Sequence, residues 1–184
     1  MERFCPEDQL QGLVAALQSD TADELLQCDR LIGDFPDDAR LHFLRGSVLA
    51  SIGRPIEAMP ALRRAVELAP DFALARFQLG FFQLTSGEAG EALGTWGPLA
   101  LLPADHYLRM FVAGLTHLIR DEFPEALAQL EAGMAANQEN PPLNNDMRLL
   151  AQQIGQLTGG TGSGDEDASA TSLLLGQFSS GRMH

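Results

Sequence analysis

The sequence has no lysine. Its twelve bases are all arginine and face 25 acids, a formal net charge of −13 over 184 residues. A chain this acidic is repelled by phosphate backbones and anionic lipid, which makes nucleic acid and membrane surfaces poor partners. Cysteine is scarce too. Cys5 and Cys28 form no metal-spaced pair and no disulfide framework, so both read as reduced thiols of a cytoplasmic protein. No window approaches 18 uncharged apolar residues, so no membrane span is expected. The opening "MERFCPEDQLQG" has neither the apolar core nor the cleavage site of a signal peptide.

Catalytic constellations are also missing. His42, His106, His117 and His184 stand in no metal-ligand spacing with one another or with cysteine. "GGTGSG" lacks the lysine and the strand-to-helix setting of a phosphate loop, and no G-x-S-x-G elbow occurs. Acid pairs such as Asp37-Asp38 and Asp121-Glu122 fall at helix starts or turns, where negative charge favours a helix N-terminus. The sequence therefore predicts no enzyme, no metal and no cofactor.

What is present is a rhythm. Glycine falls at Gly12, Gly46, Gly80 and Gly114, alanine at Ala58, Ala92 and Ala126, and phenylalanine at Phe43, Phe77 and Phe111. All three series share one period of thirty-four positions. Each period reads as two helices. "DARLHFLRGSVLASIG" closes on Gly53, a residue suited to a left-handed C-terminal turn, and Pro55 suits the first turn of "PIEAMPALRRAVELAPD". A glycine inside a helix costs about 1 kcal/mol relative to alanine. Four at matched sites imply a neighbouring helix too close to admit a Cβ. Pro60, and the group Gly94, Gly97 and Pro98, are expected to disturb the second helices of their periods. Beyond the array, Leu143, Met147, Leu150, Ile154 and Leu157 form one apolar stripe that Asn140-Pro141 opens and Thr158-Gly159-Gly160 closes. That stripe predicts a terminal capping helix.

These positions resemble the tetratricopeptide repeat (TPR) family. The second unit offers His42, Gly46, Leu49, Ala58, Leu62, Ala65 and Pro70, the third Leu79, Gly80, Ala92 and Trp96, and the fourth Gly114, Phe123, Ala126 and Leu130. The first keeps Gly12 and Pro36 but carries Glu24 and Cys28 in the alanine and aromatic slots. The resemblance implies an all-α, right-handed α-solenoid of about four helix-turn-helix units, near 5–38, 39–72, 73–106 and 107–140. A capping helix at 141–157 completes a domain of residues 1–157. A flexible acidic, glycine-rich linker at 158–171 and an apolar tail motif at 172–184 follow.

In the resembling family the first helix of each unit lines a concave face that binds peptides. Carried over, that face takes Leu13, Ala16 and Leu17 from the first unit and Arg40, Phe43, Ser47 and Ala50 from the second. The third supplies Leu74, Phe77, Phe81 and Leu84, and the fourth Leu108, Phe111, Leu115 and Leu118. Phe43, Phe77 and Phe111 suit packing between repeats as well as ligand contact; Phe81, Leu84, Leu115 and Leu118 are the stronger candidates for contact. The lysines, arginines and asparagines with which some TPR modules clamp a chaperone's terminal carboxylate are replaced here by Gln9, Leu13, Phe43, Leu74 and Phe77. An apolar segment of a protein partner is the ligand that this face implies. The leading expectation is thus an adaptor or an assembly or secretion-type chaperone; the alternative is a scaffold that self-associates into a homo-oligomer by tail exchange.

The tail itself, "SLLLGQF", sets Leu173, Leu174, Leu175 and Phe178 beyond a flexible linker. Burying four such side chains gains about 6–12 kcal/mol, and ordering some seven residues costs about as much. A balance near zero suits a reversible latch in the chain's own groove. The other readings are a motif for another protein and a disordered tail.

Overall fold

A computed structural model describes residues 4–17 and 23–159. The predicted linker from residue 160 onward and the tail residues Leu173, Leu174, Leu175 and Phe178 lie outside the described residues, as does His184. The described residues are all helical or connecting, with no strand among them, and they build the expected all-α repeat fold.

Nine α-helices follow in order among the described residues: α1 (Glu7–Leu17), α2 (Glu24–Asp34), α3 (Ala39–Ser51), α4 (Pro55–Leu68), α5 (Ala73–Thr85), α6 (Ala89–Trp96), α7 (Tyr107–Ile119), α8 (Phe123–Ala136) and α9 (Pro141–Gly159). A 3₁₀ turn, Gly97–Leu101, follows α6. The starts of α3, α5 and α7 are separated by the same period as the glycines, and so are those of α4, α6 and α8. The rhythm of the sequence is therefore a rhythm of helical hairpins. The chain forms two compact units, one ending at Leu79 and one beginning at Gly80, with α5 contributing to each.

In the first unit α2 packs on α1 and α3, and α3 on α4. Cys5, Leu10, Leu13, Cys28 and Leu41 form one buried cluster, flanked by Leu17, Leu31, Ile32, Phe35 and Leu44. Asp38 caps α3: its Oδ1 accepts the Arg40 N–H at 3.0 Å. Pro55 opens α4 as expected, and the helix runs on through Pro60 to Leu68 without a break.

In the second unit α7 packs on α8, and α8 on α9. The third hairpin departs from the others. Its second helix, α6, stops at Trp96 after eight residues and gives way to the 3₁₀ turn. Gly94, Gly97 and Pro98 account for this, since glycine weakens a helix and proline clashes with the preceding turn. Between α8 and α9, buried Asn137 ties the corner: its Nδ2 donates to Asn140 O at 2.7 Å and Asn144 Oδ1 at 2.8 Å, and its Oδ1 accepts from Asn140 N–H at 2.9 Å. Leu143, Met147, Leu150 and Ile154 of the predicted stripe are buried, whereas Leu157 is exposed.

The glycine series has a specific cause in three hairpins. Each glycine of the first helix faces the residue sixteen positions on, in the second helix of the same hairpin. A Cβ on Gly46 would stand 2.8 Å from the Leu62 side chain, on Gly80 2.2 Å from the Trp96 indole nitrogen, and on Gly114 3.0 Å from Leu130. Ala58, Ala92 and Ala126 are fully buried, as the second series requires. Gly12 breaks the pattern and corrects the expectation of close packing there: among the described residues no such atom comes within 4 Å of it. The residue in the matching slot is the short Cys28.

The turn between the helices of a hairpin repeats as well. Gly53 and Gly87 have φ of +71° and +87°, and Asp121, one period further on, has φ of +59°. The left-handed turn thus recurs even where glycine does not, and aspartate is among the residues that tolerate it.

Candidate functional site

Of the nine predicted contact residues, Phe43 and Leu74 are half-buried and the other seven are buried at 0–6% exposure. In the first unit the Phe43 ring packs tilted against Phe72, centroids 5.0 Å apart. The Ser47 hydroxyl lies 2.9 Å from both Phe43 O and Gln78 Oε1. Phe77 is fully buried.

In the second unit Phe81 and Leu84 lie on α5, and Leu108, Phe111, Leu115 and Leu118 on α7. All six are buried. The expectation that they line an open face is corrected: in the structure they are covered. For Phe111 the cover is plain. Its ring lies where a Cβ on Gly133 of α8 would stand, and the Tyr107 ring meets it edge-on at 5.9 Å. The helix α7 also packs against α6 and the 3₁₀ turn. Its buried residues, Tyr107, Leu108, Phe111, Gly114, Leu115 and Leu118, span an arc of about 120° at 100° per residue.

Arg40, a predicted groove position, is committed elsewhere. Its Nε donates to Asp38 Oδ1 at 3.0 Å, one Nη to Asp38 Oδ2 at 2.7 Å and to Cys5 O at 2.9 Å, and the other to Glu7 Oε2 at 3.1 Å. Asp38 Oδ2 also accepts the Cys5 N–H at 2.9 Å. This clamp fastens the N-terminal segment to the start of α3. Burial alone would raise the Asp38 pKa, but the hydrogen bonds from Arg40 and the Cys5 N–H outweigh it and hold the carboxyl below its ordinary value. An aspartate before a helix is visible in the sequence. The arginine that follows it, folding back to grip Cys5 and Glu7 near the chain's start, carries no local signal.

The described histidines serve structure. His106 Nδ1 accepts the Leu108 N–H and caps α7, His42 Nε2 lies 2.8 Å from Pro36 O, and His117 Nδ1 lies 2.6 Å from Glu122 Oε2. Gln83, in the position of His117 one period earlier, is buried and bonded to Thr95 and Glu91. Burial pushes the Cys28 thiol up to about 11 and, with help from Glu139, the Tyr107 hydroxyl up to about 12, so neither is ionised at neutral pH. Among the described residues no group of three or more His, Cys, Asp or Glu is placed to hold a metal, and no helix is long and apolar enough to cross a membrane.

No family model matches the chain. A stretch of 71 residues, 39% of the chain, is similar to DnaJ homolog subfamily C member 3: 35% identical to the protein of Rattus norvegicus, 34% to that of Bos taurus and 32% to that of Homo sapiens. The matched stretch spans 14% of the length of each of these relatives.

Proposed function

We propose that the chain is a non-catalytic interaction module of the TPR kind, an adaptor or assembly chaperone that holds an apolar segment of a protein partner. Two facts support this reading coarsely: hairpins that recur at a fixed period, and local similarity to proteins named as DnaJ homologs. The observation that carries it is the character of the first-helix face. In the first unit its predicted contact positions are phenylalanine or leucine, and two of them, Phe43 and Leu74, are still reached by solvent. Such a face recognises ligands by apolar burial, at roughly 1.5–3 kcal/mol per large side chain.

Phe43 and Leu74 are the two contact candidates that solvent still reaches, and both belong to the first unit. Replacing each by serine is expected to weaken binding of a leucine-rich peptide about tenfold, read by fluorescence anisotropy, while the far-ultraviolet helix signal is kept. A chain that binds no apolar peptide, or binds one equally well after both substitutions, overturns the reading. Self-association with no peptide binding supports the scaffold instead.

A further inference from the structure

We propose that Gln78 sets the specificity of the face that solvent reaches in the first unit: its side-chain amide donates to a main-chain carbonyl of the bound segment, and Ser47 is the residue that positions it. This rests on the interaction reading above and names the chemistry that the face requires of its ligand.

Helix spacing lays out the surface. Ser47 follows Phe43 by one turn of α3, and Gln78 follows Leu74 by one turn of α5. All four residues belong to the first unit and are half-buried. The Ser47 hydroxyl lies 2.9 Å from Gln78 Oε1, which joins the two rows. The face therefore has an apolar step, Phe43 and Leu74, and a polar step one turn along, Ser47 and Gln78.

The repeat supplies its own control. One period earlier the slots of Ser47 and Gln78 hold Leu13 and Leu44, and Leu44 packs against the buried cluster that contains Leu13. One period later they hold Phe81 and Val112. The slots are apolar on either side, so the polar pair is not a requirement of the repeat. Ser47 has no need of Gln78 for its own sake either. Its hydroxyl also lies 2.9 Å from Phe43 O, one turn back in the same helix.

The contact has a direction. Ser47 holds the glutamine by its oxygen, and among the described residues the Nε2 hydrogens meet no acceptor. Solvent reaches Gln78 in the free chain, so water serves them. An apolar segment laid over Phe43 and Leu74 displaces that water, and a covered donor without an acceptor weakens the complex. Leucine and phenylalanine side chains offer no acceptor. A main-chain carbonyl is the one that every residue of such a segment carries.

The test uses the full chain and the capped peptide GLLALLG, whose acceptors are all main-chain carbonyls, with isothermal titration calorimetry as the readout. Gln78→Leu enlarges the apolar step but removes the donors and leaves the peptide carbonyl unpaired, so it should weaken binding about tenfold. Gln78→Glu keeps oxygens for Ser47 to hold and lacks the N–H groups, and should weaken binding at least as much. Ser47→Ala should weaken it about threefold in the native background and no further beside Gln78→Leu, since it acts through the glutamine. Circular dichroism checks that each variant is folded; leucine is already accommodated in the matching slot at Leu44. Binding by the leucine variant that equals or exceeds the native chain's overturns the inference and leaves apolar recognition standing. Binding kept by the glutamate variant overturns the donor role. A native chain that binds no such peptide removes the inference together with the reading on which it rests.

Discussion

The first and third hairpins share a sequence position and fill it in opposite ways. Gly80 is pressed against the Trp96 indole, while no described atom comes within 4 Å of a Cβ on Gly12, whose matching slot holds the short Cys28. The third hairpin is held by a large residue seated on a bare backbone. The first is packed through Leu10, Leu13 and Cys28, and a polar clamp ties its N-terminal end to α3: buried Asp38 grips Cys5 and Arg40, and Arg40 grips Glu7. A periodic glycine is therefore not evidence of one fixed contact. The backbone period persists after the contact that explains it elsewhere has been lost.

Alanine at position 80 is the sharpest way to break this contrast. Gly80→Ala is expected to cost about 3 kcal/mol, because a rigid indole at 2.2 Å cannot slide away as a leucine tip can. Urea unfolding measures it. In a Trp96→Leu background, which copies the Leu62 and Leu130 slots, the same substitution should cost about 1 kcal/mol, so a double-mutant cycle isolates the coupling. Equal costs in both backgrounds would show that the indole does not set the requirement.

Asp38→Asn tests the other side of the contrast and should cost about 2 kcal/mol at neutral pH, since it weakens a buried, charge-assisted network. The Asp38 carboxyl titrates lower when folded than its ordinary value of 3.8. Its contribution is thus complete above that value and is lost as pH falls through the folded value. The native chain should lose stability in that acid window, and the asparagine variant should lose less. Parallel acid profiles would remove the clamp from the account.

The smallest effect belongs to Gly12→Ala. With no described atom within 4 Å, the new methyl meets none of the described residues, and the gain in helix propensity should stabilise the chain by roughly 0.5–1 kcal/mol. A loss instead would mean that α1 is packed more tightly than its surroundings show.

The helical hairpins were legible because their cause is local and repeated: apolar spacing, a left-handed turn residue and a proline at a helix start. The early end of α6 was legible for the same reason, from Gly94, Gly97 and Pro98. The exposure of side chains was not legible. Leu115 and Leu118 lie on the expected face of α7, but whether that face is open depends on what packs over it, and residue spacing carries no record of that. The roles of Asn137 and of Arg40, expected in the groove, were not legible for a related reason. Each acts through partners on other segments, and neither forms a pattern with its neighbours in the chain.

Trp96 is the only tryptophan in the protein. Its emission therefore reports the surroundings of one buried side chain at the end of α6, whereas circular dichroism averages over every helix. In a linear repeat fold, stability is the sum of modest neighbour terms and local opening is possible. Melting curves that coincide by the two methods would mean that the third hairpin opens together with the rest. An earlier optical transition would identify it as the place where the array first comes apart.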